Sequence, residues 1–426
     1  MGVRAAILAL ILLLPAGLDA GLFEVGPGKA LATPGEIQWE SINPGDIIHI
    51  HWREKPYLNK WVLCRQGTEK KPIHILGISG PEGQQPVIDA ENAKTPEPLD
   101  YWGDQRSLIK IGGANKPPDT EPAHIIIENL ELRGARKGRY YSDAKGRLKE
   151  YASNAARLYI EKGHHITVRG CTIHDSGNGL VTSHKSRDIL VESCHIYGNG
   201  NPGSIYHHNV YTESLRITFR NNRLCALAPG AKGNNLKDRS AGLKVLNNTI
   251  YGGNKQLDLV DAEGSPLLRD HPEYSKAIVD GNLIIEPAED GNRQIVHFGG
   301  DSGRKEWYRR TLIFRNNQIL TYRKDATVLF RLNDRKQYVI CENNRFLHAD
   351  GPDAGNWEIL TRFGNIEFRK PNHIQGRWKP TGYKLSIHKL FNPSNLQPLG
   401  TIDALEKTPT NEARLPCQHS KTNRID

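Results

Sequence analysis

The chain has 426 residues, 37 % of them hydrophobic and 24 % charged, with a formal net charge of +10. Glycine and asparagine are abundant, methionine is nearly absent and no long amphipathic helical stretch stands out, which favours many short strands joined by tight turns. The six cysteines (Cys64, Cys171, Cys194, Cys225, Cys341 and Cys417) lack CxxC spacing, which speaks against a zinc ribbon, and the basic excess calls for an anionic partner.

Met1 to Ala20 carries one basic residue, Arg4, then the apolar run AAILALILLLPAGL and small residues at Ala20 and Gly21. This reads as a secretory signal peptide, with an apolar run too short to span a bilayer comfortably. No later segment is apolar enough to cross a membrane, so a secreted or periplasmic protein is expected, without membrane contact once the leader is removed. An oxidising compartment permits disulfides, but spacing does not give their pairing.

From Phe23 to Ile50 the sequence reads as an opening cap and first coil. A weak copy of a repeat, KPIHILGI, begins at Lys71 and another, IIIENLEL, at Ile125. Between them and beyond, Pro86 to Ala155 is rich in Pro, Lys, Asp and Gly and reads as an insertion or long loops. The repeat then becomes plain: ITVRGCTI from Ile166, ILVESCHI from Ile189, ITFRNNRL from Ile217, LKVLNNTI from Leu243, AIVDGNLI from Ala277, LIFRNNQI from Leu312 and VICENNRF from Val339. Its spacing varies as turns of different length interrupt a constant strand core, which points to a solenoid of residues 21–370 rather than two or three domains. From about Pro371 the repeat dissolves, and residues 371–426 read as a cap and irregular, flexible tail.

Within a unit, alternating residues such as Ile217, Phe219 and Leu224 point inward. Each coil alone leaves an apolar face and open strand edges, and stacking satisfies both. Asn222, Asn248, Asn282, Asn317 and Asn344 share one position, where inward amides can hydrogen-bond from coil to coil. Cys171 and Cys194 take that position in neighbouring coils, within reach of a bridge, and are read as buried thiols. A second strand per coil follows: GLVTSH, NVYTES, NNLKDRS, QLDLVDAEG, RQIVHFGGD, ATVLFRLND and EILTRFGN.

These IxVxxNxI coils behind an opening cap resemble the pectate-lyase-like right-handed parallel β-helix superfamily, over most of the mature chain. The resemblance implies an all-β, single-stranded right-handed β-helix. It is unspecific for reaction, because that superfamily holds polysaccharide lyases, uronan C5-epimerases, glycoside hydrolases and phage tailspikes.

Polar residues concentrate in a few coils of the second strand. With Val210 and Leu236 inward, Asn209, Tyr211 and Glu213 are expected on the outer face with Asn235, Lys237 and Arg239. Stacking then sets Tyr211 beside Lys237 and Glu213 beside Arg239, with Asp258 next and His297 beyond, at about 4.8 Å per coil. Later coils put Val328, Leu329 and Phe330 in the equivalent strand, so polarity is not general to this face.

Eliminative cleavage of a uronate chain needs a group that neutralises the sugar carboxylate, a base for the C5 proton and an acid for the leaving oxygen. Arg239 suits the first role through its planar fork. Lys237, crowded by Arg239 and desolvated, is expected to have a lowered pKa and act as base, with Tyr211 or His208 completing the transfers. Asn209, Glu213, Asn235, Asp258 and His297 are the expected substrate contacts. The resemblance also implies calcium in some relatives, for which Glu213, Asp258 and Asp261 are the candidate ligands; Lys237 and Arg239 among them would repel a cation, so a mechanism with no cofactor stands beside one with Ca2+. His207 and His208 are adjacent and make a poor chelating pair.

Nucleic acid would match the charge, but an exported chain meets acidic polysaccharide instead. A monomeric polysaccharide lyase is therefore expected. The alternatives are a C5-epimerase, a glycoside hydrolase using Glu213 and Asp258, or a protein that only binds anionic sugar.

Overall fold

The computed structural model describes residues 20–289, 291–351, 353–381, 396–398 and 417. The expected signal peptide, apart from Ala20, and most of the expected tail lie outside the described residues. Among these no helix is long and apolar enough to cross a membrane.

The chain winds through three parallel ladders, contributing one strand to each per full turn. In the coil that carries Tyr211 these strands are Val210–Thr212, Leu215–Arg220 and Arg223–Leu224. The first pairs with Leu236–Asp238, the second with Lys244–Leu246 and the third with Thr249–Tyr251 of the next coil. Two ladders merge where Ala156–Arg169 and Asn178–Glu192 run round the corner as single long strands. All the second strands expected to stack do so, through to Asn356–Arg362.

Inward alternation fills the interior: Ile217, Phe219 and Leu224 are fully buried in one continuous core that runs from Val25 to Ile374. The asparagine column forms as expected. Asn222 Nδ2 donates to Asn248 Oδ1 at 2.9 Å, and the chain of amides continues through Asn282, Asn317 and Asn344 to Asn372. Each buried amide thus finds partners above and below. Cys194 N–H enters the same column by donating to Asn222 Oδ1. Cys171 and Cys194 are buried free thiols, whereas Cys225 and Cys417 form a disulfide.

The open N-terminal end is closed by two short 3-10 turns, Pro34–Glu36 and Trp39–Ser41. Trp39 is fully buried and stacks on Trp61 at 4.7 Å.

Two boundaries differ from expectation. Within residues 86–155, Val87–Asp89, Ser107–Ile111, Ala123–Glu128 and Glu131–Arg133 are regular rungs; only a small side sheet of Ala93–Lys94, Tyr140–Ser142 and Leu148–Glu150, and a hairpin-like pair near Tyr101, are additions. The charged loops between those rungs mask their period. The ladders also run past residue 370, through Asn372–Ile374 and Arg377–Thr381.

Candidate active site

The register places the outward residues of one ladder in a single row. Tyr159 pairs with Val181, Val181 with Tyr211, Tyr211 with Lys237, Lys237 with Asp258, Asp258 with His297, and His297 with Arg331. The expected order of Tyr211, Lys237, Asp258 and His297 is therefore correct. What the row does changes along its length.

Its second half is closed by its own charges. Lys237 Nζ contacts Asp258 Oδ2 at 3.0 Å and Asp301 Oδ2 at 2.7 Å. Burial alone would lower its pKa, but the two carboxylates outweigh that and hold it above the ordinary lysine value. The expected lowered pKa is thus reversed, and Lys237 is a fixed ammonium rather than a base. Asp258 is buried, and it accepts from His297 Nδ1 at 2.7 Å and from Asn234 Nδ2 at 2.7 Å. Burial opposes its charge, yet His297, Lys237 and Lys255 hold the carboxyl well below its usual range. The His297 Nε2 meets Asn333 Nδ2 at 2.8 Å; an amide donating there leaves the proton on Nδ1. Burial lowers the pKa of His297 despite Asp258. With 2 % and 3 % of their surfaces exposed, Asp258 and His297 offer little to a substrate.

Arg239 is equally committed. Its guanidinium meets Asp301 Oδ1 at 3.1 Å and Glu263 Oε1 at 3.1 Å, and its Nε donates to Tyr211 Oη at 3.2 Å. Burial opposes its charge, but Tyr211, Asp301 and Glu263 raise its pKa further. It has no free fork for a sugar carboxylate and instead positions Tyr211.

Asn209 and Asn235, expected on the outer face, are fully buried. They form a second amide column: Asn199 Nδ2 donates to Asn209 Oδ1 at 3.0 Å, and Asn209 Nδ2 to Asn235 Oδ1 at 3.0 Å. Both precede their strands, at a bend, so alternation counted from Val210 or Leu236 does not reach them. His208 is buried too; its Nδ1 accepts the Asn234 N–H at 2.9 Å. Burial, with Lys237 nearby, pushes its pKa down to about 3. It is a neutral structural group.

The candidate calcium ligands are not gathered into a cage. Asp258 is held as described. Asp261 is fully buried and accepts the Asp301 N–H at 2.7 Å as well as the Ser302 hydroxyl, which fixes that turn. Glu213 accepts the Gly264 N–H at 2.8 Å. A Cβ on Gly264 would lie 3.0 Å from Glu213 Oε2 and His184 Nδ1, so the two side chains sit close against this backbone. With Lys237 and Arg239 between them, these residues do not fit a calcium site of several oxygen ligands.

The first half of the row is open. Beside Tyr211 lies a groove of about 530 Å³, lined among others by Arg106, Asn178, Tyr159, His207, Tyr211 and Glu213. Tyr159, Val181 and Tyr211 pack into a small outward apolar cluster that forms its floor. The Arg106 guanidinium lies 4.9 Å from the Tyr159 ring centre, and its buried Nε has no hydrogen-bond partner. His207 Nδ1 contacts Ser204 Oγ at 2.7 Å, and burial lowers the ring's pKa. Burial raises that of Glu213, opposed by the Gly264 N–H. Tyr211 accepts from Arg239, so its own hydroxyl proton can be directed into the groove, and Arg239 favours negative charge on that oxygen.

Of the predicted site residues, only Tyr211 and Glu213 line this groove. Sequence reasoning missed Arg106, Tyr159 and His207. Tyr159 sits one rung before Val181 and was within reach of register; Arg106 lies in a 3-10 turn, Asp104–Arg106, that no repeat marks.

The sequence model of a family described as right handed beta helix region matches residues 120–270. Among solved structures, an alginate lyase from Paenibacillus sp. str. FPU-7 is similar at 13 % identity over 77 % of this chain and 94 % of that one, with a TM-score of 0.51. A rhamnogalacturonan lyase is 13 % identical over 86 % of this chain and 88 % of that one, with a TM-score of 0.49. A lacto-N-biosidase from Eubacterium ramulus is 12 % identical over 84 % and 67 %, with a TM-score of 0.44. No curated protein matches the sequence. The fold is that of a right-handed parallel β-helix.

Proposed function

We propose that this chain is a polysaccharide lyase that cleaves an acidic, uronate-containing polymer by β-elimination in the groove beside Tyr211. The observation that carries this reading is the meeting, in one groove, of an arginine, a phenol and a histidine whose pKa is lowered by burial. Arg106 would pair with the sugar carboxylate, making the C5 proton more acidic. His207 would take that proton. As the C4–O bond breaks and the C4–C5 double bond forms, Tyr211 would donate its hydroxyl proton to the leaving oxygen, with Arg239 stabilising the phenolate left behind. Tyr159 and Val181 give the sugar ring an apolar floor. The printed function of one similar structure, an alginate lyase, accords with such a substrate class.

A glycosidase needs two carboxyl groups flanking the scissile bond. Glu213 is the one acidic residue lining the groove, while Asp258 is buried in its ion pairs, which disfavours that alternative. Incubation with alginate, pectate and glycosaminoglycans should generate ultraviolet-absorbing unsaturated ends with one of them. New reducing ends without that absorbance, or an unchanged panel, would contradict the proposal; inverted C5 centres in an uncut chain, seen by NMR, would indicate an epimerase.

A further inference from the structure

We propose that His124, His164 and His165, away from the groove, form a binding site for one first-row transition-metal ion of the zinc class. Ligand atoms of the three side chains all lie within 4.8 Å of one another. His164 Nδ1 and His165 Nδ1 face each other at 2.7 Å. The His124 and His165 rings stack at 4.6 Å, and His164 meets both edge-on.

The backbone builds this convergence. Ala123 pairs with His164 across adjacent rungs, so the histidine positions align in neighbouring coils. His124 and His165 both occupy the left-handed region, at φ of 50° and 53°, where the strands Ala123–Glu128 and Ala156–Arg169 bend before their inward-alternating stretch. Asp188 and Arg216 take the same corner in the next two coils, both at 55°. The reversed corner turns His165 back toward its chain neighbour His164, where an extended strand would send consecutive side chains to opposite faces.

The donor set is all nitrogen. Elsewhere His49, His51, His74, His174 and His297 each pair with a carboxylate. Of the nearby acids, Glu121 pairs with Arg187 and Asp188 with Arg216, while Glu69 acts on His124 through its charge. Three imidazoles suit Zn2+, Co2+, Ni2+ or Cu2+ over Ca2+ or Mg2+, and leave a coordination position for water. A second cluster, Glu24 with His49 and His51, is already satisfied by its internal hydrogen bonds and serves as a control.

The test is titration of the full chain, stripped of metal, with Co2+, read by visible absorption and by melting temperature. One equivalent should bind with nitrogen-ligand bands and raise the melting temperature. His124→Asn and His165→Asn suit the left-handed corner, so they should melt like the metal-free parent and lose roughly tenfold or more in affinity. His51→Gln should bind as the parent does. His164→Gln, outside the strained corner, gives the same reading if an asparagine variant does not fold. Absence of cobalt bands, or undiminished binding in the His124, His164 and His165 variants, would overturn the site.

Discussion

Tyr211 and Lys237 are neighbours in one row, yet they belong to different kinds of surface. From Lys237 to His297 the charges answer one another: Lys237 with Asp258 and Asp301, Asp258 with His297, and beside them Arg239 with Asp301 and Glu263. On the Tyr211 side, the row presents a groove with an arginine nitrogen lacking a partner and an apolar floor. Density of charged residues alone therefore leaves little for a ligand where the charges are spent on one another. Buried ion pairs hold their geometry because breaking one strands the other charge.

Substitutions can break that contrast. The largest expected effect is Tyr211→Phe, which should lower kcat on a responsive polyuronate by about a thousandfold, far more than the modest fall in melting temperature expected as the buried Arg239 Nε loses its acceptor. Arg106→Gln should follow, lowering kcat/KM by about tenfold to a hundredfold through loss of a charge-assisted contact. Lys237→Met sharpens the comparison from the other side. It should destabilise the fold by about 3 kcal/mol in urea unfolding, because Asp258 loses a buried counter-charge, while the residual folded enzyme keeps its kcat. A loss of turnover larger than that of Tyr211→Phe would restore Lys237 as the base.

Much of the solenoid was legible in sequence because its repeat combines two signals, inward alternation and the asparagine at the bend. Those signals also gave the correct order of Tyr211, Lys237, Asp258 and His297. They could not reveal how each group is partnered. Asp301, which clamps both Lys237 and Arg239, stands 64 and 62 residues from them along the chain. Asn209 and Asn235 were read as outward because the strand pattern was extended one residue beyond the strand. Arg106 was hidden in a charged stretch ahead of the copy at Ile125, in a turn that no repeat marks.

The smallest expected effect concerns pH. His208 has a folded-state pKa of about 3, lowered by burial, whereas an unfolded histidine titrates near 6.5. Between these values the unfolded chain binds the extra proton, so His208 makes stability fall as pH drops from about 6.5 towards 3. Unfolding of His208→Gln should show a shallower acid dependence across that window than the parent. An unchanged slope would mean that the ring is not held neutral.

The most direct test is the position of a uronate oligosaccharide on Tyr211→Phe protein, determined by crystallography. A sugar carboxylate on Arg106, with its ring against Tyr159 and the C4 oxygen beside residue 211, is the expected result. An oligosaccharide seated over Lys237 and Asp301, or on another face of the solenoid, would contradict it.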